Sequence, residues 1–207
     1  MENISIYTNL SNLVIGFHGC DIETYDKVLK NNEFLKSSNN DYDWLGNGIY
    51  FWEQDFNRAW EWAENSQKRT RGNVKTPAVI GAVIDLGFCL NLLDDGCIKL
   101  LKEQYEIFKL SADIANKDIP KNKNIGNNTD LLMRHLDCAV IESLHLQRKT
   151  NNEQPFDTVR GVFMEGKPIY PTSGFMEHSH IQICIRNPNC IKGFFAPRKK
   201  NGKWSNT

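Results

Sequence analysis

The sequence predicts an α+β fold in a single domain spanning residues 1–207. Three observations predict it. Short apolar runs, aromatic or β-branched, recur along the chain and are bounded by Gly, Asn, Asp or Pro. Segments with apolar residues at helical spacing lie between some of these runs. The two kinds do not alternate regularly, since three strand candidates follow one another at the end, which argues against a βαβαβ array. No dinucleotide fingerprint of the Gly-x-Gly-x-x-Gly type is present, nor any internal repeat, low-complexity tract or domain boundary.

Taken in order, residues 13–20 (LVIGFHGC) form an apolar run ending near Gly19, a buried strand with His18 near its end. Asp21 is placed to cap a helix over 22–31, in which Tyr25, Val28 and Leu29 share a face. Residues 34–43 are rich in Ser, Asn and Asp and read as a loop. Next comes the stretch around which the chain is organised, 44–52 (WLGNGIYFW). Gly46, Asn47 and Gly48 tolerate left-handed backbone and make a turn. The aromatic and β-branched run after it suits a half-buried strand. An amphipathic helix over 55–64, reaching about Gln67, places Ala59, Trp62 and Ala63 on one face. Together these elements put glycine backbone and the Tyr50 hydroxyl at one mouth.

Residues 68–75 form a basic, Gly-containing connection. A strand over 78–86 follows, with 88–93 as a candidate continuation after Gly87. Asp94 or Asp95 starts a helix over 97–115 with Ile98, Leu101, Tyr105 and Phe108 on one side. Residues 116–128 are the most loop-like part of the chain. Asn128 or Thr129 caps a helix over 130–147, with Leu132, Leu136, Val140 and Leu144 in register. Strands over 158–164, 181–186 and 191–195 end the domain. The loop 168–179, with Pro168, Pro171 and Gly174, leads straight into the second of them. In that strand His180, Gln182 and Cys184 share one face, and Ile181, Ile183 and Ile185 the other.

Lys+Arg and Asp+Glu both number 25, so non-specific capture of nucleic acid or membrane by net charge is not the default. Arg198, Lys199, Lys200 and Lys203 read as a solvated terminus or a local basic patch. No apolar run approaches the roughly 20 residues of a membrane helix, and the first residues lack the pattern of a signal peptide. The six cysteines, none in a C-x-x-C pair, fit free thiols in a reducing cytoplasm better than a disulfide frame or a zinc site. His135 and His145 fall on opposite helix faces, and His178 and His180 lack a third ligand cluster, so no metal site is expected. Trp44, Trp52, Trp60 and Trp62 read as packing residues.

Phe17-His18-Gly19, then Leu45 to Phe51 followed by a helix with Ala59 and Ala63, resembles the ADP-ribosyltransferase superfamily. The likeness is to the branch shared by diphtheria-toxin-type enzymes and the poly-ADP-ribose polymerases. That branch carries an early His-Gly, a Gly-x-Gly-hydrophobic-Tyr-Phe strand, and a polar residue opening a late strand, commonly glutamate. Here residues 180–191 (HIQICIRNPNCI) occupy the third place and put Gln182 where the glutamate commonly stands.

The resemblance implies a split β-sandwich of two small sheets with flanking helices, with NAD as co-substrate in the cleft between them. It implies that His18 bonds the adenosine ribose, Gly19 offers backbone to the nicotinamide amide, Gly48 belongs to the NAD-binding turn and Tyr50 stacks on the nicotinamide. Gln182 would hold the nicotinamide ribose. A neutral amide supplies no charge and is no general base, so at most single transfer is expected. His180, two residues earlier on the same face, would take a proton from the acceptor. Glu165 and Glu177 are spare carboxylates.

The expected function is therefore cytoplasmic mono-ADP-ribosylation of RNA, DNA or protein, with nucleic acid slightly favoured by the basic segments. A toxin or phage-defence effector with a possible antitoxin is the expected setting. Alternatives are a catalytically inactive module binding NAD, ADP-ribose or a partner, NAD hydrolysis, and RNA 2′-phosphotransfer with Arg160 and Arg186 at the phosphate.

Overall fold

Three aspartates start helices as their positions in the sequence predict. In the computed structural model, which describes residues 13–70, 72–124 and 130–198, the carboxylates of Asp21, Asp55 and Asp94 accept hydrogen bonds from the backbone N–H of Glu23, Arg58 and Cys97. The helices they open are α1 (Ile22–Lys30), α2 (Phe56–Lys68) and α3 (Asp95–Ile114); α4 spans His135–Thr150. The strands are β1 (Val14–Asp21), β2 (Ile49–Glu53), β3 (Pro77–Ile84), β4 (Cys89–Asn91), β5 (Thr158–Phe163), β6 (His180–Ile185) and β7 (Ile191–Phe195). The fold is α+β. No helix among the described residues is long and apolar enough to cross a membrane.

The strands form one hydrogen-bonded order, β4-β5-β6-β2-β1-β3-β7, rather than two separate sheets. Neighbours run antiparallel except β4 and β5. The join in the middle is narrow. β1 pairs with β3 along its whole length, from Val14↔Ile84 to Asp21↔Pro77, but with β2 only at Gly16↔Glu53 and Phe17↔Trp52. Beyond Phe17 the ladder between β1 and β2 stops, dividing the sheet into β4-β5-β6-β2 on one side and β1-β3-β7 on the other.

Alternation sorts the side chains. Ile49, Phe51, Ile80, Ile84, Ile183 and Ile185 point to one core, which Tyr25 and Val28 of α1 cover. On the opposite face Leu90, Val159 and Cys184 pack with Leu45, Cys97, Ile141, Leu144 and Phe156 beneath α3 and α4. A third, smaller patch, with Trp52, Val79 and Phe17, seats Ala59 of α2. All six cysteines are free and buried.

Helix α4 departs from the expected span of 130–147. Leu131 takes a positive φ of 48°, and Met133 exchanges backbone hydrogen bonds with Lys123 at 2.8 and 3.0 Å. These commitments hold 130–134 out of the helix, so Leu132 is not part of its face. Arg134 makes no side-chain cap, and the helix runs on to Thr150. The caps expected at Asn128 or Thr129 lie outside the described residues, as do Lys199, Lys200 and Lys203 of the basic tail.

Candidate functional site

Where β1 and β2 part, an open groove of about 1110 Å³ is lined by His18 and Gly19 of β1, Gly48, Tyr50 and Trp52 around β2, and His180 and Gln182 of β6. It extends past Trp62 to Arg69, Gly72 and Asn73, beyond the end of α2. The sequence scattered these residues over more than 160 positions. The order β6-β2-β1 makes them neighbours, and the register sets Trp52 opposite Gln182 and Tyr50 opposite Cys184.

His18 sits at the parting itself. Its Nδ1 is 2.8 Å from the Tyr50 carbonyl oxygen. A carbonyl only accepts, so Nδ1 carries the proton and Nε2 is the lone-pair nitrogen. Burial, opposed by that hydrogen bond, holds the His18 pKa below its usual value, so the ring is neutral at pH 7. Gly19 follows because nothing larger fits: a Cβ there would lie 2.2 Å from the Ala59 carbonyl oxygen of α2.

Tyr50 contributes a ring, not the hydroxyl expected at the mouth. Its OH accepts from the Leu45 N–H at 3.0 Å and donates to the Gly46 carbonyl at 2.7 Å. Burial drives its pKa upward, keeping it neutral. Gly46, at φ 79°, supplies that carbonyl, and a Cβ at Gly48 would collide with Cys184 Sγ at 2.4 Å. Glu142 of α4 clamps the same turn, accepting from the Asn47 N–H at 2.8 Å and from Arg186 at 2.5 Å.

His180 is buried against Phe163, whose ring stacks on it at 5.6 Å and 20°. Its Nδ1 lies 2.7 Å from the His178 carbonyl, so again Nε2 holds the lone pair. Burial, outweighing that hydrogen bond, lowers its pKa, with Arg58 acting in the same direction. Gln182 is held through its Oε1, which accepts from Trp44 Nε1 at 2.6 Å. The spare carboxylates are engaged. Glu165 pairs with Arg58 at 2.7 Å, and Glu177 accepts from the Lys167 N–H at 3.0 Å.

No protein-family model matches the chain. A protein of Methanocaldococcus jannaschii, described only as uncharacterized, is 27% identical over 194 residues, covering 85% of this chain and 83% of its own. No solved structure matches.

Sequence reasoning missed the tryptophans. Trp44, Trp52 and Trp62 line the groove rather than serving packing alone. The Trp52 indole N–H is buried with no partner among the described residues, leaving a donor without an acceptor in the groove wall. One signal for Trp44 was legible. Gly161 interrupts the β5 pattern, and a lone strand glycine marks close approach of another group. A Cβ there would sit 2.8 Å from the Trp44 ring. Arg160 and Arg186, by contrast, pair with Glu53 and Glu142 and do not line the groove.

Proposed function

We propose that the chain is a mono-ADP-ribosyltransferase that moves ADP-ribose from NAD to a macromolecular acceptor in the cytoplasm. The single observation that carries this reading is the convergence of His18, Tyr50, His180 and Gln182 on one groove at the parting of the sheet. The groove slightly exceeds the roughly 300–1,000 Å³ of drug-sized sites and suits an extended dinucleotide.

In the transfer, the bond from the nicotinamide ribose C1′ to the ring nitrogen breaks and its electron pair leaves with nicotinamide. C1′ bonds to the acceptor's nucleophilic atom, whose proton passes to His180 Nε2. His18 Nε2 accepts from a ribose hydroxyl, the Tyr50 ring carries the nicotinamide on its face, and Gln182 fixes the nicotinamide ribose. With an amide at 182 the positive charge developing on that ribose meets no adjacent free carboxylate, which restricts the site to slow or single transfer.

The charged lining is mixed, with Asp and Glu slightly outnumbering Lys and Arg among the described residues. Arg69 brings the basic segment to the groove's edge but sets no preference for nucleic acid over protein. The test is nicotinamide release from NAD by purified protein, alone and with RNA, DNA or cell protein, beside Tyr50→Ala and Gln182→Ala. Release that rises with one acceptor and disappears in both variants supports transfer to that class. Acceptor-independent release means hydrolysis.

A second reading, a binding module without turnover, draws on the engaged state of Glu165 and the neutral Gln182. Binding of NAD with no release under any condition would favour it.

A further inference from the structure

We propose that Trp44 is a positioning residue that sets the polarity of the groove at Gln182. An indole has a donor and no acceptor, so the group it meets at 2.6 Å must be the amide oxygen. The orientation of this glutamine is therefore fixed by chemistry. Its oxygen is turned to Trp44, and its NH₂ is left for the groove that Gln182 lines.

The lock is built into the fold. Trp44 lies over Gly161, where any side chain would displace it, and Gly161 is the β5 partner of Gln182. Phe163 holds the indole from its edge at 5.1 Å and 71°. The strand thus carries a gap at 161 that lets the ring reach across to 182.

The consequence is selectivity. Position 182 presents its NH₂ as a donor, so it holds a ligand through an oxygen lone pair, such as that of a sugar hydroxyl or a carbonyl. His18 Nε2 and His180 Nε2 offer lone pairs to a ligand's donors. A hydroxyl held between Gln182 and His180 would accept from one and donate to the other.

The identity of the ligand rests on the reading of the groove as an NAD site; the lock does not. The test uses NMR of the full chain labelled with ¹⁵N. The Trp44 indole resonance is assigned by its loss in Trp44→Phe, and the Gln182 side-chain NH₂ pair by its loss in Gln182→Met. Removal of the acceptor in Gln182→Met should move the indole proton upfield, and Gln182→Glu should move it downfield, because a charged acceptor bonds more strongly.

With NAD as the probe, the Gln182 NH₂ pair should shift. Trp44→Phe should weaken binding about fivefold to tenfold, the scale of one hydrogen bond, and should have no further effect in the Gln182→Met background. An indole resonance unmoved by both changes at 182 overturns the lock, as does equal weakening by Trp44→Phe with and without Gln182. The indole shifts in the Gln182 variants, together with no binding of NAD by wild type, would sink the NAD reading and leave the lock standing.

Discussion

His18 Nδ1 and the Tyr50 carbonyl oxygen, 2.8 Å apart, join β1 to β2 at the place where their backbone ladder ends. The side chain replaces a main-chain donor, so one residue both closes the sheet and turns its Nε2 to the groove. Removing it leaves the Tyr50 carbonyl half-buried and unpaired. His18→Ala should cost about 1–3 kcal/mol of stability in urea unfolding. It should also raise the KM for NAD about tenfold if His18 bonds the ribose. Loss of stability with an unchanged KM would make His18 a structural bridge only.

Gln182 separates a weak transferase from an inert relative. Under the proposed reading, Gln182→Glu supplies the missing negative charge while one carboxylate oxygen still accepts from Trp44. Single-turnover nicotinamide release should then rise by about tenfold or more, since charge placed at the reacting centre is among the largest catalytic terms. A fall comparable to that of Gln182→Ala would show that the groove is not arranged around a cationic ribose.

Most of this architecture was legible because its signals are local. The Asp21 and Asp94 caps, the 44–52 turn and the alternation of β6 each depend on a few adjacent residues. What stayed hidden depends on which groups the folded backbone brings together. The start of α4 is set by Met133 bonding to Lys123. The Tyr50 hydroxyl turns inward because the Gly46 carbonyl and Leu45 N–H reach it. Trp44 reads as core in its own stretch of sequence, and the β5–β6 register brings it to Gln182.

Two glycines give steric predictions that do not depend on the ligand. Gly19→Ala drives a methyl group to 2.2 Å from the Ala59 carbonyl, a backbone atom that cannot swing aside. Overpacking of this kind costs about 1–3 kcal/mol or more, so thermal unfolding should show a clear loss, and α2 should be displaced from the groove wall. Gly161→Ala meets a side chain instead. It should cost less stability yet still shift the Trp44 indole resonance.

Under the proposed reading, His180 should make the acceptor-dependent step sensitive to pH. As a base it works neutral, and burial lowers its pKa from the usual 6.5 or so. The rate of transfer should decline on acidification with a midpoint below 6.5. His180→Ala should abolish that limb along with acceptor-dependent release. A profile whose midpoint lies above 6.5 would assign the proton to another group.

Acid should destabilise the fold, and His145 is one cause. It is buried in α4, with Nδ1 bonded to the Ile141 carbonyl and Nε2 unpartnered among the described residues. Burial, reinforced by Arg186, lowers its pKa to about 4. In the unfolded chain the same imidazole takes a proton near pH 6.5, as a rough reference value. Above that pH both states are neutral and stability does not depend on this group. As the pH falls from about 6.5 to about 4, the unfolded state binds a proton that the folded state refuses, so stability drops by up to about 3 kcal/mol. His18 and His180, also lowered, push the same way, whereas Glu142 adds its loss only as its own carboxylate protonates at lower pH. Urea midpoints measured across this range for wild type and His145→Leu isolate the share of His145, because the other groups stay in both proteins. The variant should show the shallower slope. Parallel curves would mean that the His145 imidazole is already charged in the fold.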